Sequence, residues 1–369
     1  MSDELDTPSG LSLTVVLCVD QDSFDRFGMV LRRLTVGLVD EAIPLRVVSS
    51  DDRAEKLTLG LVQTFIHEPI TWPWSERRIR RVLEMLAPHH PTIVHALSSK
   101  SYRLAGAMAS AYDADLILQV TSVADCDEIV RTRDQRVGAF LTFSEPLVKM
   151  LEEQGKVPPE HIELIRPGIL AVKKVACFAH ADRVPTVLCT SRLERHTGVD
   201  RLIEAAAMLR DRGREVLVFL LGAGSQEDTL RRMVRDRHLA AYVTFSHPLG
   251  DLMQAFQSAD VFVRPSADNA FTVDALAAMG VGAAVVSLPS VVCDHLRAEE
   301  TAVICEGQTA GDLAEAIESL LADPEYARML AARGQEYVRT HHAMSGMAQR
   351  TAEVYRKLAL ARATFRIKE

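Results

Sequence analysis

Ser191 to Leu202 reads SRLERHTGVDRL, and the residues on either side of it decide the fold. Before it, Val187 to Thr190 is a short apolar run of strand length. After it, Leu202, Ile203, Ala206 and Leu209 fall on one stripe at helical spacing, which predicts a helix over 199–211. A strand, a polar turn and a helix make one unit of a parallel sheet, because parallel neighbours need a crossover between them.

The same rhythm extends in both directions. Toward the C-terminus, strands are predicted at Val216 to Leu221, Val243 to Phe245, Val261 to Val263, Ala283 to Ser287 and Ala302 to Cys305. Toward the N-terminus they are predicted at Leu13 to Val19, Leu45 to Ser49, Thr92 to Leu97, Leu116 to Thr121, Ala139 to Phe143 and Ile162 to Ile165. A second clear helix covers 312–322, and Asp323 before Pro324 marks a capped helix start. Residues 171–185 have weak periodicity and end in a proline, which suggests a linker. Past Gly334 only helical pattern remains.

The chain has 369 residues, enough for two domains, with 48% hydrophobic and 25% charged side chains. The net charge of −8 has the wrong sign for a surface built to hold nucleic acid. The six cysteines are scattered without metal or redox spacing. The opening MSDELDTPSG is acidic, unlike a secretory signal, and no apolar run reaches membrane-spanning length, so a cytoplasmic setting is expected.

Several stretches, in order and at the right spacing, are similar to one family. SRLERHTGVDRL resembles an Arg-x4-Lys-Gly opening, and Leu221 to Ser225 (LGAGS) a strand followed by a Gly-x-Gly turn. Ala259 to Ser266 (ADVFVRPS), Ala278 to Val286 (AMGVGAAVV), Pro91 to His95 (PTIVH) and Ile165 to Gly168 (IRPG) complete the set. Together they resemble retaining glycosyltransferase family 4 of the glycosyl transferases group 1. The resemblance implies an α/β fold of GT-B type, with two Rossmann-like doubly wound domains facing a central cleft. The expected divisions are a disordered 1–10, an N-terminal acceptor-side domain over 11–170, the linker 171–185, a donor domain over 186–335, and C-terminal helices over 336–369 crossing back to the first domain.

The resemblance also implies site residues. An Arg and a Lys neutralise the donor diphosphate, whose charge grows as it leaves, and two glutamates in Glu-x7-Glu touch sugar and ribose. Arg192 fills the first cationic position, but Thr197 stands at the lysine. Thr197-Gly198-Val199-Asp200 also fits a helix N-cap, and Arg195 or His196 offers a replacement charge or is an exposed turn residue. Asn269 and Ala277 occupy the glutamate positions. Asn269 hydrogen-bonds in either direction or caps a helix. Asp274 is either a ribose contact or a solvated helix-face carboxylate. Gly198, Gly222, Gly224, Ser266 and Phe271 complete the donor-binding set, and Gly28 is the one glycine in the acceptor-side loop Asp20 to Gly28. Helix N-termini after Gly198, Gly224 and Asn269 favour an anion through their free N–H groups. His95 and Ser122, at two strand ends, are expected near the sugar with Asn269, His95 having the alternative of a structural strand-end histidine.

Two more segments carry alternatives. Ser75 to Leu86 (SERRIRRVLEML) is an amphipathic helix whose arginines suit a solvated face better than a peripheral membrane contact. Trp72 and Trp74 are either packed on their domain or open to an acceptor or partner. The resemblance implies that no cofactor or metal is needed, and Asp113-Ala114-Asp115, which has a metal-binding spacing, precedes its strand and reads as a turn. The expected ligands are a nucleotide-diphosphate sugar and a glycan or small-molecule acceptor. The sequence leaves two functions standing: sugar transfer, or a catalytically degenerate relative acting as a binding or partner subunit.

Overall fold

The computed structural model describes residues 13–366 apart from 58–61, 71–74, 133–136, 181, 248–251, 268 and 345. The N-terminal ten residues and the Trp72 and Trp74 pair lie outside the described residues.

The chain forms two compact units. The first contains β1 (Val15–Val19), α1 (Gln21–Asp40), β2 (Leu45–Ser49), α2 (Arg53–Leu57), β3 (Gln63–Ile66), α3 (Ser75–Leu86), β4 (Ile93–Ala96), α4 (Ser99–Tyr112), β5 (Asp115–Val120), α5 (Val123–Thr132), β6 (Val137–Thr142), α6 (Glu145–Glu153) and β7 (Ile162–Leu164). The second contains β8 (Thr186–Thr190), α7 (Val199–Asp211), β9 (Leu217–Leu221), α8 (Glu227–Asp236), β10 (Val243–Ser246), α9 (Leu252–Ser258), β11 (Val261–Arg264), α10 (Asp274–Val281), β12 (Ala284–Ser287), β13 (Val303–Ile304), α11 (Ala310–Ala322) and α12 (Pro324–His341). The last helix, α13 (Gly346–Arg366), belongs to the first unit.

Each unit is a parallel sheet. The strand order is β3-β2-β1-β4-β5-β6-β7 in the first and β10-β9-β8-β11-β12-β13 in the second. All five residues of β1 are buried, as in a sheet covered on both faces. In both sheets the order reverses beside the first strand, between β1 and β4 and between β8 and β11. Loops diverge there at the carboxyl ends of the strands and leave the crevice where such sheets bind ligands.

Residues 171–185, expected as a linker, are held within the second unit. Val172 and Ala176 donate to Gly280 and Val281, and buried Asp260 accepts from the backbone of Phe178 and Thr186 and from Arg183. In the first unit α13 lies against α1 so closely that a methyl group at Gly37 would stand 2.5 Å from Ala348 Cβ. Tyr355 of α13 and His95 of β4 meet at 2.8 Å.

β3 has no counterpart among the predicted strands. Its sequence, QTFI, is half polar and lies on a sheet edge with both end residues exposed.

Candidate functional site

The carboxyl edge of the second sheet is built from three loops locked together by their main chains. The loop after β8, the turn after β9 and the loop after β11 touch at glycines. A methyl placed on Gly222 would stand 1.9 Å from the Ser191 carbonyl oxygen, one on Gly224 would stand 2.3 Å from that of Leu193, and one on Gly198 would stand 2.0 Å from that of Pro265. Gly198 also has φ of +79°, a conformation that favours glycine. These glycines are required by backbone packing.

Helices α7, α8 and α10 all open at this edge, and none carries a side-chain cap. At α8 the Gln226 and Glu227 N–H groups donate to the Leu193 and Gly224 carbonyls, while α7 and α10 turn their positive dipole ends outward without a side-chain cap. Thr197 is not the expected N-cap. Gly198 holds that position, and the Thr197 hydroxyl donates instead to the Glu194 carbonyl at 2.9 Å. Asn269 caps nothing either: it is exposed in the loop, and α10 begins at Asp274 after Val273. The uncapped starts therefore follow Gly198, Gln226 and Val273.

Arg192 is exposed, as are Arg195 and His196. Its guanidinium lies 3.6 Å from the Glu194 carboxylate. That carboxylate accepts the Ser225 hydroxyl at 2.6 Å and the Ser225 N–H at 3.0 Å. These two bonds, with Arg192 in support, hold the Glu194 carboxyl below the usual range.

Asp274, in the first turn of α10, keeps a partly exposed surface but sits in densely packed surroundings. Desolvation raises its carboxyl to about 7, against the pull of the Thr190 hydroxyl and the Arg264 charge. Arg264, the buried last residue of β11, donates to the Ser266 carbonyl at 2.7 Å. Neither Arg264 nor Glu194 was singled out from the sequence. The signal for Arg264 was a charge ending the otherwise apolar run VFVR; Glu194 carried none.

Several expected site residues have other work. Phe271 is fully buried, edge-on to His295 with ring centroids 5.1 Å apart, so it is core and out of a ligand's reach. Ala277 is buried within α10.

In the first unit, His95 has no exposed surface, and burial drives its imidazole down to about 3 against the pull of Gln119. It is a neutral strut between β4 and α13, with no surface to offer a sugar. Ser122 is buried as well, and its hydroxyl oxygen accepts the N–H of Asp125 at 3.1 Å in the first turn of α5.

The expected acceptor-side loop is helix. α1 begins directly after β1, and Gly28 lies inside it, next to a kink at Phe27. Asp20 caps α1 by accepting from Ser23 N–H, and Ser98 and Ser101 hydroxyls fill its other oxygen at 2.5 Å each. A ligand anion finds that helix end already occupied by a carboxylate.

Among the described residues there is no grouping of His, Cys, Asp and Glu that could hold a metal ion, and no helix is long and apolar enough to cross a membrane. The six cysteines are buried free thiols.

The uncapped edge, the Gly-x-Gly turn and the Asp260 anchor fall inside one recognised stretch. Residues 176–337 match the family Glycosyl transferases group 1. This group 1 stretch coincides with most of the second unit. A GDP-mannose-dependent alpha-(1-6)-phosphatidylinositol monomannoside mannosyltransferase of Mycobacterium tuberculosis is 28% identical over 182 residues, 47% of each chain. A D-inositol 3-phosphate glycosyltransferase of Pseudarthrobacter chlorophenolicus is 34% identical over 148 residues, 37% of this chain and 34% of its own. The matches thus span half or less of these curated relatives. Among solved structures, Anabaena HepE in complex with UDP-glucose aligns with a TM-score of 0.76 at 15% identity, covering 94% of this chain and all of HepE. A glycosyltransferase from Rickettsia africae aligns at 0.72 with 14% identity, covering 94% and 98%. The chain has the GT-B fold of these structures, with two Rossmann-like parallel-sheet units.

Proposed function

We propose that this protein is a glycosyltransferase that takes a nucleoside-diphosphate sugar as donor and transfers the sugar, with retention at the anomeric carbon, to a glycan or small-molecule acceptor. The observation that carries this reading is the carboxyl edge of the second sheet, where three helices open without side-chain caps around a glycine-locked platform. Each such terminus has the force of roughly half a positive charge. A diphosphate is the ligand that profits most, because its negative charge grows as the glycosidic bond to it breaks. Arg192 supplies an exposed cation, and Gly198, Gly222 and Gly224 keep side chains out of the way. Ser266, Asn269 and Asp274 border the sugar and ribose side, with Thr197 beneath as a support of the turn. HepE's complex with UDP-glucose and the GDP-mannose-dependent relatives favour this donor class.

No metal takes part in this scheme, since main-chain dipoles and Arg192 meet the diphosphate. A second reading, a binding subunit without transfer, is favoured by Ala277, which puts a methyl group where the resemblance expects a carboxylate. Titration calorimetry with UDP, GDP and their sugar conjugates, followed by chromatography for released sugar, separates the two. Binding with sugar release supports transfer, binding without any turnover supports the second reading, and the absence of binding by a folded protein rejects both.

A further inference from the structure

The loop between β11 and α10 carries Asn269 and stands on a column of buried rings that takes no part in the donor scheme. Phe271, two residues past Asn269, is fully buried and packs edge to face with His295, the centroids 5.1 Å apart at 68°. His295 has no exposed surface either, and it stands edge to face with His342, 6.5 Å away at 81°. His342 is fixed to the main chain: its Nδ1 lies 3.0 Å from the Pro167 carbonyl oxygen, and its own carbonyl accepts the Ile169 N–H at 2.9 Å. A second tie reaches the same loop, where the Cys293 thiol donates to the Ala270 carbonyl at 3.8 Å. The segment that carries Cys293 and His295 is pinned in turn, since the Thr301 hydroxyl donates to the His295 carbonyl at 2.6 Å and accepts the Arg297 N–H at 3.0 Å. All of these residues belong to the second unit.

An imidazole enclosed in this way gives up its hydration, which a hydrocarbon of the same size would not. What it supplies is direction: edge-to-face ring pairs hold their partner at a set distance and angle, beyond the area they bury. The start of the loop is already locked, by the approach of Gly198 to the Pro265 carbonyl. Its far part depends on Phe271, and only Ala270 separates that ring from Asn269, so a shift of the ring carries the amide with it. We propose that His295 is a positioning residue, which through Phe271 holds Asn269 against the sugar half of the donor. This inference rests on the donor reading above. The Gly222 to Gly224 turn, where the diphosphate would lie, is fixed by its own contacts with the Ser191 and Leu193 carbonyls. The column therefore serves recognition of the sugar and leaves that of the nucleotide alone.

The full chain is compared with His295→Ala, which removes the ring, and His295→Phe, which keeps a ring without its nitrogens. Calorimetry uses UDP, GDP, UDP-glucose and GDP-mannose. His295→Ala is expected to weaken the sugar conjugate about tenfold or more while the bare diphosphate changes by less than about threefold, and His295→Phe to restore most of the loss. Asn269→Ala shows the same selective loss, and the double variant no more than that, because one residue acts through the other. Hydrogen exchange adds a readout free of ligand: the amides of 269–273 exchange faster in His295→Ala, and those of 222–226 do not. Circular dichroism checks folding, and Phe271→Leu repeats the comparison from the other side of the contact should His295→Ala fail to fold. Unchanged conjugate binding, equal losses for conjugate and bare diphosphate, no recovery in His295→Phe, additive losses in the double variant, or unchanged exchange in the loop would overturn the proposal. A folded, unaltered chain that binds none of the four ligands rejects the donor reading itself and this inference with it, whatever the exchange pattern shows of the column.

Discussion

The Glu194 carboxylate accepts both the hydroxyl and the backbone N–H of Ser225, at 2.6 and 3.0 Å, and so places a fixed negative charge where the turn after β9 runs into α8. Arg192, the expected diphosphate cation, lies 3.6 Å from the same carboxylate. An internal carboxylate thus occupies part of the edge proposed to hold the diphosphate.

Removing that internal anion should favour an external one. Glu194→Ala is expected to raise the affinity for UDP or GDP by about threefold or more, because a freed N–H and a guanidinium relieved of one competing carboxylate each gain from a phosphate. Calorimetric titration checks it. A fall in affinity would mean that Glu194 orients the turn for the ligand instead.

Asp274 gives the protein a pH signature. Its carboxyl titrates near 7 when folded and near 3.8 when unfolded, so between those values the unfolded chain has released the proton and the folded one has not. Stability from this group therefore declines as the pH rises from about 4 to 7 and is level above that. Asp274→Asn should abolish the decline, and urea midpoints measured from pH 4 to 8 in both proteins will show it. Parallel curves would place Asp274 in an open, solvated position.

Glycine substitutions separate the locked platform from ordinary glycines. Gly198→Ala is expected to cost about 2 kcal/mol or more, from its left-handed backbone and its contact with Pro265. Gly28→Ala, inside α1 with nothing within 4 Å, should stabilise the protein by about 0.5–1 kcal/mol. Urea denaturation decides both. If Gly28 lay in a ligand-binding loop, its replacement would bring no such gain.

The framework was legible because its signal is apolar periodicity. Twelve strands stand where Val, Ile and Leu runs predicted them, and α7 spans the expected 199–211. β3 escaped because an edge strand needs only one neighbour and little burial, so QTFI shows no run. The site was less legible because a cap and a ligand contact use the same residue types. Thr197 and Asn269 have the chemistry of caps, yet the backbone enters α7 through a left-handed glycine and starts α10 at Asp274. His95 and Ser122 stand at strand ends as active-site residues do, and only the packing of α13 and α5 reveals that they are enclosed.

The His95–Tyr355 contact offers a test of that enclosure. The buried imidazole stays neutral down to about pH 3, whereas the unfolded chain protonates near 6.5, so stability falls as the pH drops through that interval. Tyr355→Phe leaves His95 Nδ1 without its 2.8 Å partner and is expected to cost about 1–3 kcal/mol while leaving nucleotide affinity unchanged. Unfolding curves and calorimetry give the two readouts, and a loss of nucleotide affinity would return His95 to the site.

The three glycine contacts at the carboxyl edge of the second sheet join carbonyl oxygens to bare α-carbons, so the shape of that edge is written in main chain and is indifferent to the side chains mounted on it. Replacements at Thr197, Asn269 and Ala277 leave such a frame standing. It works as a socket whose fittings are interchangeable: side chains there can be exchanged singly, with no need to refold the edge that carries them.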